Sequence, residues 1–344
     1  MKVALLNHDE SLGGGATYLR ELTAALATTC TFKTFLSSRG ECAADVVNAW
    51  QGDIIHVNHL RALLQLFKFP WSHPKAPVVF VVHGIHLRKF DFLPRTWANR
   101  FKRFARLRLE RALYKKCAAL IALTESDRET IHQLYGAHLN VVTIPNGLSP
   151  TTPAPIPTDY FFICIGRFCL PKGQDVLLEA IARVQEQLRK ENRRTLFIGD
   201  GETLAAAKAF ARAHHIEDLV TFAGAIDNAA ALLPRGRILI APSRWEGLPF
   251  LLLEAGTQQK LVLASNCPGN RDIITDGETG FLFPPEDSTA LAALLTRDYP
   301  LEEEQSIGAA LSQKVARDFT VDQMAKKTCE LWTHLAKCNC QRSK

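Results

Sequence analysis

Residues 149–158 read Ser-Pro-Thr-Thr-Pro-Ala-Pro-Ile-Pro-Thr and divide the 344-residue chain near its middle. Four prolines in ten positions fix φ and remove backbone donors, so neither a helix nor a central strand can run through the segment. It reads as a stiff extended linker, which bounds two domains, residues 1–150 and 151–344. On each side the chain repeats one pattern, in which short apolar runs alternate with stretches of helical periodicity. In the first half the expected strands are Val3–Leu6, Phe32–Leu36, Ile54–Val57, Val78–Val82, Ala119–Leu123 and Val141–Ile144, with helices at Ala16–Thr28, Arg100–Lys116 and Glu125–Leu134. In the second half they are Phe161–Ile165, Thr195–Ile198, Val220–Phe222, Arg237–Ala241, Leu261–Ala264 and Gly280–Phe283, with helices at Asp175–Lys190, Glu202–His214, Ser288–Thr296, 301–317 and 321–337. Continuous apolar runs, rather than apolar–polar alternation, indicate strands covered on both faces, as in a parallel sheet. The expectation is α/β, with two doubly wound, Rossmann-like domains in series.

Composition narrows the class. Apolar residues at 47% can supply two cores, and 22% charged residues argue against disorder. No apolar run is long enough to span a bilayer, and the first residues, Met-Lys-Val-Ala-Leu-Leu-Asn, read as a strand rather than an export signal. Nine cysteines without paired finger-like spacing fit reduced thiols and a cytoplasmic location. The net charge of +6 is uneven. Residues 88–116 carry eleven Lys and Arg, Arg100, Lys102, Arg103 and Arg106 among them, against Asp91 and Glu110. Phe90, Phe92, Trp97, Phe101 and Phe104 interleave with these cations. A basic, aromatic segment suits an anionic membrane surface. Confinement of the basic excess to one segment makes nucleic acid the poorer partner. The plainer reading is a solvated helix face whose aromatics turn to the core.

Ligands of open α/β sheets bind at the carboxyl ends of the strands, so the polar clusters that follow strands are the candidate sites. In the first half these are Ser11-Leu12-Gly13-Gly14-Gly15, His83-Gly84 and Asn146-Gly147. Glycines let the backbone approach a phosphate or sugar; His83 can meet a sugar hydroxyl, although a lone histidine is more often structural. In the second half Gly166-Arg167 leads to Lys172-Gly173, an Arg fork and a Lys point charge suited to a diphosphate. Gly199-Asp200-Gly201 lacks the third glycine of a dinucleotide fingerprint. The most specific stretch is Pro242-Ser243-Arg244-Trp245-Glu246-Gly247-Leu248-Pro249-Phe250, followed by Glu254. It predicts a loop holding Glu246 and a helix starting near Pro249, with Glu254 one to two turns in. Amides at that helix start suit a phosphate or sugar hydroxyl, and an ionised Glu254 can accept from a ribose diol. The plainer alternative is a strand, loop and helix with surface acids.

These elements in this order resemble retaining glycosyltransferases of family 4, which have the GT-B fold: two Rossmann-like domains facing a central cleft. The resemblance is strongest from Gly166-Arg167 to Gly280 and most specific at Pro242-Ser243 with the Glu-x7-Glu pair, Glu246 and Glu254. It implies that Arg167 and Lys172 bind the donor diphosphate, that Glu254 holds the ribose, and that Glu246 lies near the donor sugar. Backbone amides of Gly247, Leu248, Pro249 and Phe250 would contact sugar and phosphate, although Pro249 has no amide hydrogen to offer. Gly14, Gly15 and Gly166 match glycines near the phosphates, and His83 matches a histidine at the donor sugar. His83, Arg167, Lys172 and Glu246 are thus the expected catalytic residues. The last helix, about 321–337, would cross back to the first domain. The chain departs from the family where it has Ala16-Thr17 after the glycines, Gln259 and Leu261 after Glu254, and Asp272 for a usual glutamate.

The resulting expectation is a metal-independent, cofactor-free retaining transferase, with a nucleotide-sugar donor, UDP by family frequency, and a glycan or lipid-linked acceptor, as in lipopolysaccharide or surface polysaccharide synthesis. The basic segment would rest on the inner membrane, making the enzyme cytoplasmic and peripheral. The alternatives are another GT-B activity, such as an inverting transferase or an epimerase, and a non-catalytic nucleotide-sugar or membrane binder.

Overall fold

The computed structural model describes residues 1–9, 13–68, 73–150 and 156–342. Ser11 and Leu12 of the glycine motif and residues 151–155 of the proline-rich linker lie outside the described residues. The chain forms two compact units, Met1–Ser149 with Phe319–Lys344, and Pro150–Asp318.

The first unit holds six strands: β1 (Lys2–Asn7), β2 (Thr31–Leu36), β3 (Ile54–Val57), β4 (Val78–Val82), β5 (Ala119–Ala122) and β6 (Val141–Thr143). All pair in parallel, in the order β2-β1-β3-β4-β5-β6. The second unit holds β7 (Tyr160–Ile165), β8 (Thr195–Ile198), β9 (Val220–Phe222), β10 (Gly236–Ala241), β11 (Leu261–Ser265) and β12 (Phe281–Phe283). These are also parallel, in the order β12-β11-β10-β7-β8-β9. In each sheet the order reverses beside the first strand, at β1/β3 and at β7/β10, and such a switch point opens a crevice at the strands' carboxyl ends. The central strands Val78–Val82 and Leu261–Ser265 are buried along their whole length, as their unbroken apolar runs require.

Helices cover both sheets, and three of them bear on the site or on the sequence pattern. The stretch expected as one helix at Asp175–Lys190 is two, Gln174–Arg183 and Gln185–Lys190, because Val184 leaves helical geometry between them. The helix expected from Ala16 begins at Gly14, so Gly14 and Gly15 lie in its first turn rather than in a loop. The helix after Glu246 is Phe250–Thr257; Pro249 sits outside it with ψ 123°, as its N-cap residue. Within the first unit the closing helix, Val321–Arg342, buries Trp332, whose indole N–H donates to Nδ1 of His56 at 3.3 Å. The Gly147 amide meets Met324 Sδ at 3.2 Å.

Candidate active site

The polar groups of the second unit gather at the carboxyl edge of β7 and β10. After β7 the chain turns through Gly166 and Arg167, and a single 3₁₀ turn, Leu170–Lys172, carries Lys172 back over the sheet edge. Gly173 follows at φ 63°; a Cβ there would collide with the carbonyl oxygen of Pro242, so only glycine lets the Lys172 turn lie against the β10 loop. The Lys172 stem passes over Gly166, where an added Cβ would lie 3.6 Å from Lys172 Cδ. Gly269, at φ 89°, is held to glycine in the same way by the carbonyl of Gly247. The backbones on both sides of the Glu246 loop are therefore set by close approach.

Lys172 Nζ donates to Glu246 Oε1 at 2.6 Å, and Ser243 Oγ donates to the same oxygen at 2.6 Å. Burial would lower the Lys172 ammonium's pKa, but the charge and hydrogen bond of Glu246 outweigh it and hold the ammonium above its ordinary value. Arg167 is exposed and makes no ion pair among the described residues. The helix Phe250–Thr257 begins beside this pair with no side-chain cap, which leaves its first amides available to an outside acceptor. Leu248 and Phe250 are buried, so only their backbone can face a ligand. Glu254 is half-buried in the second turn.

Sequence reasoning gave no role to Ser243 and passed over Gln174 and Asn270. A hollow lined by Lys172, Gln174, Ser243, Glu246 and Asn270 contains two acceptors, Asn270 Oδ1 and Gln174 Oε1, that are buried without a hydrogen-bond partner. Such acceptors can take a hydrogen bond from a further group that enters the hollow, a ligand hydroxyl or a water. Beneath it, Asn270 Nδ2 donates to Ser265 O at 3.1 Å, and Ser265 Oγ donates to the Ser243 carbonyl. Arg244 braces the loop from behind through Asp175, at 2.7 Å, and Glu286, at 2.8 Å. Ser243 was visible in the Pro242-Ser243 motif, three residues before Glu246, but with no role attached.

In the first unit the structure brings Gly15 and His83 together through a residue that the sequence did not single out. Asn58, directly after β3, donates to the Gly15 carbonyl at 3.0 Å, and its Oδ1 meets Nε2 of His83. His83 packs edge-on against buried Tyr18, with ring centroids 5.2 Å apart. Burial pushes the His83 imidazolium down to about 3, so the ring is neutral near pH 7. A neutral ring whose Nε2 meets Asn58 can hydrogen-bond a sugar hydroxyl through its other nitrogen. A larger hollow of about 750 Å³ lies at the other end of this sheet, around Val78 and Ala118 where β4 and β5 begin. It lies away from these residues and from the edge where open α/β sheets bind ligands.

The basic segment forms the helix Trp97–Tyr114, started by Thr96, whose hydroxyl accepts from the Asn99 amide at 3.2 Å. Its aromatics do not all turn inward. Trp97 is 80% exposed, Phe101 57% and Phe104 53%. Trp97 and Phe101 stack at 5.7 Å on the same side of the helix, while Glu110, Leu113 and Tyr114 anchor its last turns. Arg100 and Lys102 are exposed; Arg103 pairs with Asp91 at 2.9 Å and Arg106 with Glu110 at 2.5 Å, so two of the four cations assigned to a membrane are already engaged. No helix among the described residues is long and apolar enough to cross a membrane.

Comparison with known proteins bears on the family and the fold. The family model Glycosyltransferase Family 4 matches residues 34–152, and Glycosyl transferases group 1 matches residues 152–306. Phosphatidyl-myo-inositol mannosyltransferase of Mycobacterium leprae is 31% identical over 215 residues, covering 58% of this chain and 55% of that one. The chain spans about half the length of the curated relatives that it matches, with 54% of one and 57% of another covered. Among solved structures, sucrose-phosphate synthase of Thermosynechococcus elongatus superposes with a TM-score of 0.83 at 19% identity, over 98% of this chain and 99% of that one. HepE of Anabaena, crystallised with UDP-glucose, gives 0.79 at 20% identity, over 97% and 100%. Two Rossmann-like sheets of the GT-B kind, matched in turn by both family models, make this chain a member of the family 4, group 1 glycosyltransferases.

Proposed function

We propose that the chain transfers a sugar from a nucleotide diphosphate donor to a glycan or lipid-linked acceptor, with retention of anomeric configuration and without a metal. The observation that carries this reading is the Lys172–Glu246 pair beside the uncapped start of the helix Phe250–Thr257. In the proposed reaction the donor C1–O bond loosens toward an oxocarbenium-like state as the diphosphate departs. Lys172, Arg167 and the helix-start amides stabilise the charge that builds on the diphosphate. Glu246 lies at the donor sugar and Glu254 accepts from the ribose hydroxyls. The acceptor hydroxyl forms the new C1–O bond on the face the diphosphate leaves, and a diphosphate oxygen takes its proton. His83, neutral, hydrogen-bonds the sugar near Gly14 and Gly15. UDP is the proposed nucleotide, since HepE was crystallised with UDP-glucose.

A thermal-shift screen of UDP-, GDP- and ADP-sugars tests the donor, because a ligand held by the folded state alone raises Tm by mass action. UDP-sugars should raise it most. Turnover unchanged by EDTA and product of retained anomeric configuration are expected; inverted product would move the reading to an inverting transferase.

A second reading concerns the helix Trp97–Tyr114, on the exposure of Trp97 and Phe101 beside Arg100 and Lys102. We propose that this face rests on anionic lipid, placing a cytoplasmic, peripheral enzyme beside a lipid-borne acceptor. Replacing Trp97 and Phe101 by Ser should abolish cosedimentation with phosphatidylglycerol vesicles, and unchanged cosedimentation would refute the contact.

A further inference from the structure

Three neighbouring strands of the first unit are each followed by histidine. His8 follows β1, His59 lies two residues beyond β3, and His83 and His86 follow β4. Hydrogen bonds assign the protons of two of them, His8 and His59. Arg61 Nη1 donates to His8 Nε2 at 2.7 Å; a guanidinium only donates, so the His8 proton is on Nδ1, which donates to Ser37 Oγ at 2.9 Å. The Arg61 amide donates to His59 Nδ1 at 3.1 Å, so His59 carries its proton on Nε2. Among the described residues no acceptor takes that proton. The His8 and His59 rings stack at 5.1 Å.

Among the described residues the acidic charges around this rim are few. Burial pushes the His59 imidazolium down to about 4; His8, His86 and Arg61 push the same way, and Asp9 alone opposes them. Asp9 lies 3.9 Å from His8. His86 also faces Glu110, Arg106 and Lys89, of which the first two are paired with each other. The remaining N–H groups of the exposed Arg61 guanidinium, the His59 Nε2–H and the exposed His86 ring, which can donate from one nitrogen, therefore form a set facing little negative charge among the described residues. A carboxylate would be served by the guanidinium fork alone. Donors reaching in from the ends of separate strands suit a tetrahedral anion.

We infer that Arg61, His59 and His86 bind a phosphate group carried by the acceptor, so that the enzyme glycosylates a phosphate-bearing molecule. This rests on the proposed transferase function. The phosphate can belong to a lipid carrier or to a sugar, and the recognition chemistry is the same.

The test is calorimetric titration of the full chain with dodecyl phosphate and with glucose 1-phosphate, under saturating UDP so that the diphosphate site is filled. Wild-type protein should bind one of the two probes at least tenfold more tightly than Arg61→Gln, His59→Gln or His86→Gln. The tighter probe names the carrier as lipid or sugar. A UDP-induced rise in Tm, retained in each variant, shows that the variants fold. Equal probe binding by wild type and all three variants, or binding of neither probe by wild type, overturns the inference. If UDP produces no thermal shift the donor reading fails by itself, and titration with Arg167→Gln in place of UDP still decides the phosphate site.

Discussion

The two units use one architecture to build opposite electrostatic environments. At the carboxyl edge of β7 and β10 a cation and an anion meet at 2.6 Å, beside an exposed arginine and an uncapped helix. At the carboxyl edge of β3 and β4 the groups nearest Gly15 are neutral: Asn58 bridges the Gly15 carbonyl to His83, whose charge is suppressed by burial. The first arrangement offers charged donors to a diphosphate; in the second, Asn58 and His83 offer neutral partners suited to hydroxyls. The difference teaches that the fold supplies only the position, an edge lined by strand ends, while the loop residues decide what it receives.

The sharpest way to break the comparison is to remove the charge from one side only. Lys172→Ala should lower kcat by about 10²–10³, the usual loss when one preorganised donor at a developing anion is removed. Asn58→Ala should leave UDP affinity unchanged. A UDP thermal shift equally weakened by both would dissolve the distinction. Next in size is Gly173→Ala, which places a Cβ against the Pro242 carbonyl at a positive φ. It should destabilise by about 1–3 kcal/mol in denaturant unfolding and reduce turnover through the displaced Lys172 turn. Asn58→Ala should itself cost about 1–3 kcal/mol, since the Gly15 carbonyl and His83 both lose a partner.

The pH responses should diverge as well. His56 and His83 are pushed from 6.5 to about 3, so the folded state holds them neutral. Their contribution is complete above pH 6.5 and is lost progressively as pH falls toward 3. Lys172 is held above its ordinary 10.5, so its contribution is complete below that value and is lost as pH rises through the folded pKa. Hydrogen exchange should show the first unit loosening first in acid, and Lys172→Met should flatten the alkaline fall of the second. The smallest expected effect is at Arg100→Gln and Lys102→Gln, exposed on the basic helix: stability within about 0.5 kcal/mol, with vesicle binding weaker by about 1 kcal/mol per charge removed.

Much of the fold was legible because its strands are buried on both faces. Ile54–Val57, Val78–Val82, Thr195–Ile198 and Val220–Phe222 form at the expected residues, and the other eight strands within one residue of them. Short helices were not legible: Ala44–Ala49 and Leu60–Leu66 span too few turns to display a period. In the site, Lys172 and Glu246 were visible as charged residues beyond strand ends. Asn58 and Asn270 were not, and Ser243 was visible in its motif but not in its role, because a motif does not say which buried amide or hydroxyl will pair; Asn58 meets Gly15 across 43 residues.

By itself the amino-acid order determined two parallel sheets, the strands that compose them and the loops that carry their chemistry, since apolar runs and proline restrictions act locally. Tertiary structure decided which loops meet. Lys172 reaches Glu246 across 74 residues because Gly173 admits the Pro242 carbonyl, and His83 reaches Gly15 only through Asn58. Such meetings depend on strand order and close backbone approach, which are properties of the packed sheet and not of any one segment.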